Sequence, residues 1–147
     1  IINLINMKKI YIASDHAGYN LKNFIKKKLH RKFKIIDLGA NSNKISVNYP
    51  DYAHKLCKKV SSNDEFKGIL VCGSGIGMSM AANRHKKIRA ALCNTLISAK
   101  LSRLHNNANV ITLGERVIKK NTAEKCVNIF LTTEFEGGRH LKRIKKI

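Results

Sequence analysis

Five short runs rich in β-branched residues alternate along this chain with longer stretches of helical spacing, and this alternation is its strongest constraint on the fold. The runs are KIYIAS (9–14), KIIDLG (34–39), GILVCG (68–73), IRAALCN (88–94) and ANVITLG (108–114). Between them, apolar residues recur every three or four positions, as on one face of a helix. Strict strand–helix alternation predicts a parallel sheet with helices on both faces and right-handed crossovers. We therefore expect an α/β fold, a Rossmann-like three-layer α/β/α sandwich around a five-stranded parallel sheet.

The length of the chain limits how many domains it can form. A chain of 147 residues with 44% hydrophobic content can bury one core, so one domain is expected. No apolar run approaches the roughly 20 residues of a membrane-spanning helix, which predicts a soluble protein. We interpret Met7 as the natural start and residues 1–6 as an upstream extension without signal-peptide features. The domain is then expected to span 7–147 and to end in a basic helical tail at 137–147.

The formal net charge of +20 raises the possibility of nucleic-acid binding, because Lys and Arg neutralise phosphates. The lysines are spread over nearly every segment, however, and the sequence contains no helix-turn-helix, zinc-finger or aromatic-studded basic sheet motif. The charge is therefore better interpreted as a solvated surface, and nucleic acid is an improbable partner.

Four cysteines stand at positions 57, 72, 93 and 126, without a C-x-x-C pair or a paired histidine spacing. This arrangement argues against a zinc site and against a disulfide framework. It favours reduced thiols in a cytoplasmic protein.

The ends of the five predicted strands are where a ligand site is expected. In open parallel sheets, ligands bind outside the carboxyl ends of the strands. Ionisable residues next to glycine follow three of the five strands, in Asp15–Gly18, Cys72–Gly75 and Gly114–Arg116. This concentration predicts a functional site at that edge of the sheet.

Three glycines at alternate positions, 73, 75 and 77, follow the third strand. A dinucleotide fingerprint would need glycine where Met78 stands, and no Gly-Lys-Ser/Thr follows for a phosphate-binding P-loop. The glycines still allow backbone N–H groups near a helix N-terminus to approach an anion. That anion is either a phosphate or an oxyanion formed during a reaction.

Cys72 sits at the end of this strand, and two interpretations of it remain open. It is either a small buried hydrophobic residue, as assumed for the other three cysteines, or a reactive thiol beside an array of amides. Farther along, Arg139 and Arg143 lie one helical turn apart after Gly137–Gly138. They form either a solvated terminus or a two-arginine clamp for phosphate, with Arg116 as a third arm.

Seven segments in order resemble a known family: DHAG (15–18), NYPDYA (48–53), CGSGIGMSMAANR (72–84), IRAALC (88–93), AKLSRLHNNANV (99–110), LGERV (113–117) and FEGGRHLKRI (135–144). Together they are similar to type B ribose-5-phosphate isomerase, in a family that also contains galactose-6-phosphate and allose-6-phosphate isomerases. The resemblance runs from Met7 to about Ile144. It implies an aldose–ketose isomerase of the pentose phosphate pathway that needs no metal or other cofactor.

The resemblance also implies roles for individual residues in the reaction. Cys72 matches the general base that moves a proton between C2 and C1 through an enediolate. Ser74 stands where the family usually has threonine and would support that intermediate, and the oxyanion would be bound by backbone donors at Gly73, Gly75 and Gly77.

Further residues carried over from the family surround the sugar. His105 matches the histidine that opens the sugar ring, and Asp15 is expected near it. The phosphate grip would consist of His16, Arg116, Arg139 and Arg143. The substrate-lining positions would be Tyr49 and Asn106. The family often has Asp where this chain has Asn48, which is expected to alter a loop contact near the substrate.

The resemblance implies a homodimer or homotetramer with active sites shared between subunits. The position of His105 supports this independently, because it comes just before the fifth strand, at the end of the sheet away from Cys72 and Asp15. We therefore expect His105 to act in the site of another subunit. The favoured substrates are ribose 5-phosphate and ribulose 5-phosphate. The alternatives are a galactose- or allose-6-phosphate isomerase, or a non-catalytic basic module that binds nucleic acid or senses sugar phosphates.

Overall fold

The computed structural model describes residues 9–147, so the expected start at Met7 and the expected extension at 1–6 lie outside the described residues. The strands are β1 (Lys9–Ser14), β2 (Lys34–Asp37), β3 (Lys67–Cys72), β4 (Ala90–Leu92) and β5 (Val110–Gly114). The helices are α1 (Tyr19–Leu29), α2 (Tyr49–Val60), α3 (Ile76–Ala82), α4 (Leu96–Leu104), α5 (Lys120–Thr132) and α6 (Arg139–Ile144). No helix within 9–147 has both the length and the apolar character needed to cross a membrane.

All five strands pair in parallel, in the order β2-β1-β3-β5-β4. The predicted five-stranded parallel sheet with a helix after each strand is therefore confirmed. Strand β4 is shorter than the apolar run 88–94 that predicted it. The first residues of this run are held by loop contacts instead, since Ile88 donates its N–H to His85 and the Asn83 side chain bonds both backbone groups of Ala90.

The sheet separates two apolar cores, as expected when neighbouring side chains of a strand point to opposite faces. On one face, Ile69 and Val71 of β3 pack with residues of α1, α4 and α5. On the other, Leu70 and Cys72 pack with residues of α2 and α3. Cys72 is thus the last inward-facing residue of β3, and its side chain lies under the start of α3.

The strand order also determines where a crevice opens. From β1 the chain moves outward to β2, and from β3 it moves to the other side of the sheet, so the loops after β1 and β3 diverge. Such a point, where strand order reverses, is the usual ligand site of an open parallel sheet.

Candidate active site

An open cleft of about 720 Å³ lies at the carboxyl ends of β1, β3 and β5. Eight of the residues expected to form the site line it together: Asp15, His16, Tyr49, Cys72, Gly73, Ser74, Gly77 and Arg116. They come from four separate segments of the chain. The fold alone brings them to one place.

Cys72 lines this cleft and is only 4% exposed. Its Sγ accepts a hydrogen bond from the N–H of Gly75 at 3.1 Å. This bond holds the sulfur at the carboxyl end of β3. There it can contact a ligand in the cleft and is largely shielded from bulk water. The Gly75 amide is directed at the sulfur in this structure, so we do not assign it to an oxyanion.

The other three cysteines have a different environment. All are free and buried, as is Cys72. Burial raises the pKa of Cys57 to about 12, and burial together with the neighbouring Cys93 raises that of Cys126 to about 11. The pKa of Cys93 is also raised, chiefly by burial. These three thiols stay protonated and act as small hydrophobic side chains, as predicted for them.

The glycines of the turn are required by close packing as well as by backbone geometry. Gly75 has φ 78°, and a Cβ there would come within 2.8 Å of the backbone carbonyl carbon of Leu113. A Cβ at Gly73 would lie 2.8 Å from Nη1 of Arg116. The absent side chain at position 73 is therefore what lets the guanidinium lie across the turn.

Arg116 is positioned by backbone bonds between the loops after β3 and β5. Its N–H donates to Gly73 O at 3.0 Å, and the N–H of Glu115 donates to Cys72 O at 2.9 Å. These bonds continue the pairing of β3 with β5 beyond the last strand residues. The Arg116 side chain is exposed, and it lines the same cleft as the Cys72 thiol.

Asp15 and His16 form the opposite wall, and each is held by one hydrogen bond. The Asp15 carboxylate is 6% exposed and accepts the N–H of Gly18 at 3.0 Å, just before α1. Nδ1 of His16 accepts the N–H of Val47 at 3.1 Å. A neutral imidazole that accepts at Nδ1 carries its proton on Nε2, so His16 offers a hydrogen-bond donor to a ligand.

Tyr49 approaches the cleft from the start of α2, next to Asn48, which caps this helix without a side-chain hydrogen bond. The Tyr49 ring lies against Gly77, where a Cβ would meet it at 2.5 Å. Sequence reasoning did not single out the apolar part of the lining, which includes Ile76, Met80 and Val117. All three are exposed, at 48%, 67% and 58%.

The remaining predicted residues do not reach this cleft within one chain. His105 follows α4 and precedes β5, and Asn106 lines a different cavity at the amino-terminal edge of the sheet, with Asn83 and His85. Arg139 and Arg143 lie on α6 and are exposed. The predicted site is therefore divided into two groups on opposite ends of the sheet.

The second group has a local structure that the sequence did not predict. The His105 ring stacks on the ring of His140, with centroids 4.3 Å apart and planes at 15°. Glu136 Oε2 lies 4.0 Å from His105 Nε2 and 3.9 Å from His140 Nε2. The one signal in the sequence is the four-residue spacing of Glu136 and His140, which does not by itself bring in His105.

The sequence and the fold match known proteins over nearly the whole chain. The profile of a family described as ribose/galactose isomerase matches residues 10–147. A ribose-5-phosphate isomerase B from Escherichia coli is 41% identical over 142 residues, which cover 96% of this chain and 95% of that protein.

Solved structures agree with the profile. A ribose 5-phosphate isomerase from Thermotoga maritima superposes with a TM-score of 0.91 at 48% identity, covering 96% of this chain and 97% of that one. A ribose-5-phosphate isomerase B from Mycoplasma genitalium with bound ribulose-5-phosphate superposes with a TM-score of 0.91 at 44% identity, covering 94% and 92%. Similarity of this extent and coverage establishes family membership.

Proposed function

Because the chain belongs to the ribose/galactose isomerase family, we propose that it interconverts D-ribose 5-phosphate and D-ribulose 5-phosphate. The observation that carries the proposal is the position of the Cys72 sulfur, in one cleft with the Arg116 guanidinium and the Asp15 carboxylate. The relatives named as ribose-5-phosphate isomerases, one of them with ribulose-5-phosphate bound, support the choice of substrate.

In the proposed reaction, Cys72 acts as a thiolate base on the open-chain sugar. Its sulfur takes the proton from C2 of the aldose, the electron pair of that bond forms the C1–C2 double bond of an enediolate, and the negative charge moves to the C1 oxygen. The hydroxyl proton on the C2 oxygen then passes to the C1 oxygen, the C2–O double bond forms, and the proton held by the sulfur is delivered to C1, which gives the ketose and restores the thiolate. Donors aimed at the developing oxygen charge stabilise such an intermediate, and the Ser74 hydroxyl and the amides of Gly73 and Gly77 are the candidates.

The phosphate of the substrate is assigned to Arg116 and to Nε2 of His16. A guanidinium fork suits phosphate oxygens, and Arg116 is exposed at the rim of the cleft. Binding energy from the phosphate, which is remote from the reacting carbons, can then be used to orient C1 and C2 at the sulfur.

We further propose that a second copy of the chain completes each site. His105 would open the sugar ring near Asp15, Asn106 would line the substrate, and Arg139 and Arg143 would complete the phosphate grip. The exposed apolar side chains at the cleft, Ile76, Met80 and Val117, support an oligomer, because burying them between subunits is favourable. A homodimer is the smallest assembly that meets this requirement, and a homotetramer would be a pair of such dimers.

We also propose a cytoplasmic location, because the proposed chemistry depends on a reduced thiol and thiols are kept reduced in the cytoplasm. This chemistry uses only side chains and amides of the protein for the proton transfer.

Cys72→Ser tests this proposal in a coupled isomerase assay with five- and six-carbon sugar phosphates. Serine is a far weaker base at neutral pH, so we expect kcat to fall by at least about 100-fold, in the range typical of losing a general base, with little change in phosphate-ligand affinity. The matched control is Cys93→Ser, since that buried thiol already has a backbone acceptor in Ala91 O, and we expect it to retain activity.

An unchanged rate in Cys72→Ser would remove this residue from the mechanism. Faster turnover of galactose or allose 6-phosphate than of ribose 5-phosphate would transfer the assignment to a hexose phosphate isomerase. Absence of turnover with every sugar phosphate, combined with steeply salt-dependent binding to nucleic acid, would favour the non-catalytic basic module.

A further inference from the structure

A cluster of three possible metal ligands lies outside the cleft, at the amino-terminal end of the sheet. Each of His105, Glu136 and His140 offers one ligand atom there, and these atoms lie within 4.8 Å of one another. We propose that the three residues bind a divalent transition-metal ion, with Zn²⁺ as the best fit, and that the isomerisation itself does not use this ion.

The first argument is the state of His140. Its side chain is only 6% exposed, and its Nε2 is buried without a hydrogen-bond partner among residues 9–147. An unpaired buried polar atom costs roughly 1–3 kcal/mol, so an orphaned imidazole nitrogen in a folded protein calls for an explanation. This nitrogen faces Glu136 Oε2 at 3.9 Å, too far for a hydrogen bond and near the separation of two ligands of one metal ion.

The second argument is that the backbone holds the three residues in place. The N–H of Glu136 donates to Leu104 O at 3.2 Å, which joins its segment to the last turn of α4 beside His105. Nε of Arg103 donates to Thr133 O at 3.0 Å, a second bond between the same two segments. The N–H of His140 donates to Gly137 O at 3.1 Å. A ligand set with fixed backbones loses little conformational entropy on binding.

The ligand chemistry selects the kind of ion. Two imidazole nitrogens and one carboxylate oxygen form a common protein set for Zn²⁺ and its neighbours in the first transition row, whereas Mg²⁺ and Ca²⁺ prefer oxygen ligands. Three protein ligands would leave at least one position of the ion for water or another molecule.

The three ligand atoms must move slightly closer together to bind one metal ion. A tetrahedral ion with bonds of about 2.1 Å places two ligand atoms about 3.4 Å apart, compared with 3.9 and 4.0 Å from the carboxylate to the two histidines. The stacked rings must also tilt, so that both nitrogens point to one centre. The side chains of His105 and Glu136 are 38% and 53% exposed, so both are free to make this adjustment while His140 stays fixed.

The surrounding charge sets a limit on affinity. Arg139 and Arg143 lie on the same short helix as His140, and these two cations disfavour a bound cation. The Glu136 carboxylate is the compensating negative charge among the three ligands. The proposal therefore makes Glu136 the most sensitive position for binding.

Metal binding has a consequence that rests on the proposed function. His105 is the residue assigned to ring opening in a second subunit, and an imidazole nitrogen bound to a metal ion cannot take or give the proton that ring opening needs. Zn²⁺ at this site would therefore inhibit the isomerase, with less effect on any substrate supplied in open-chain form.

Direct binding is the primary test and does not depend on activity. The full chain, without a polyhistidine tag, is titrated with Zn²⁺ by calorimetry and with Co²⁺ by visible absorption, whose intensity reports the geometry around the ion. We expect one ion per chain. Glu136→Gln should weaken Zn²⁺ binding by more than about tenfold, because even outer partners of metal ligands are worth about 10- to 100-fold.

The control variants are Glu134→Gln, which removes an equal charge two residues away, and His85→Asn, which removes a histidine from the separate pair formed with His54. Both should bind Zn²⁺ as the unmodified protein does. Glu136 is exposed, so its replacement is not expected to disturb folding, and circular dichroism checks this. His140→Asn should also lose binding, provided that its unfolding transition matches that of the parent.

Three results would overturn the site: no Zn²⁺ binding to the parent protein, unchanged binding in Glu136→Gln, or equal binding of Mg²⁺. In the activity arm, inhibition by Zn²⁺ that Glu136→Gln relieves would support the inhibitory role. Binding without inhibition in an active enzyme would refute that role and leave the metal site standing. An inactive enzyme that still binds Zn²⁺ would count against the proposed function alone.

Discussion

At the scale of single residues, Cys72 differs from the other three cysteines because it lies at the end of a strand. Cys57 and Cys126 are buried in helices α2 and α5, Cys93 is buried just after β4, and burial raises the pKa of all three, so they stay protonated. Cys72 is almost as buried, but it ends its strand where the chain turns away. The Gly75 amide therefore donates a hydrogen bond to the sulfur, and Cys72 lines a cleft together with Arg116.

Gly73→Ala is predicted to weaken substrate binding without unfolding the protein. The added methyl group would lie 2.8 Å from Nη1 of Arg116, the far end of a flexible side chain that can move away cheaply. We expect KM for ribose 5-phosphate to rise about tenfold, equivalent to about 1.4 kcal/mol of binding energy, with kcat changed less than about threefold. Steady-state kinetics and a thermal unfolding scan measure both effects.

The double variant Gly73→Ala/Arg116→Ala checks the cause. If the methyl group acts through Arg116, the two losses overlap and the double variant binds no worse than Arg116→Ala alone. Fully additive losses would show that Gly73 acts by another route.

At the scale of elements, the starts of α3 and α4 fix the helices that lie next to proposed catalytic residues. Gly75 adopts a left-handed conformation that ends β3 and starts α3 within three residues of Cys72. Thr95 and Ser98 form a capping box at the start of α4, which fixes the helix that carries His105 at its other end. A histidine pair joins α2 to the loop after α3, in which His54 Nδ1 lies 2.8 Å from His85 Nε2.

This histidine pair predicts acid sensitivity of the contact between α2 and the loop after α3. Burial and then the charges of His54 and Lys58 lower the pKa of His85 from its usual value of 6.5, and the other ionisable groups around it, Lys86 and Arg89, are cationic too. A lowered histidine pKa means that the unfolded chain binds the proton more tightly. Stability from this group is therefore complete above about pH 6.5 and is lost as the pH falls toward the lower folded pKa.

His85→Asn is expected to flatten this dependence. Urea unfolding at pH 7.5 and pH 5.5, followed by circular dichroism, should give a smaller loss of unfolding free energy for the variant than for the parent between the two pH values. An equal loss in both proteins would assign the acid sensitivity to other groups.

At the scale of the whole molecule, the proposed catalytic groups occupy both ends of one sheet. Cys72, Asp15 and Arg116 lie at the carboxyl ends of the strands, and His105 lies beyond α4 at the opposite edge. The two groups can form a complete site only if the cleft of one chain meets the α4–β5 corner of another. The exposed apolar side chains at the cleft are compatible with such a contact.

Mixing two inactive variants tests this sharing. Cys72→Ala chains and His105→Ala chains are combined in equal amounts and allowed to exchange subunits. In a two-fold dimer, half of the pairs are mixed and each mixed pair holds one intact site, so we expect recovery of about a quarter of the parent activity. If exchange is verified and no activity returns, the sites are not shared.

The sequence by itself determined the fold class, because the spacing of apolar residues records which side of each strand and helix is buried. Apolar runs such as KIYIAS, GILVCG and ANVITLG alternate with stretches of helical spacing, and this order predicts parallel strands with helices between them. It also placed Asp15, Cys72 and Arg116 at strand ends, which converge in any parallel sheet.

Only the tertiary structure decided which side chains meet, because contacts between distant segments depend on strand order and loop path, which apolar spacing does not encode. It aimed the Gly75 amide at the Cys72 sulfur, and it set the Arg116 guanidinium over Gly73. It also stacked His140 on His105 beside Glu136, although these residues stand about 30 positions apart in the chain and share no motif.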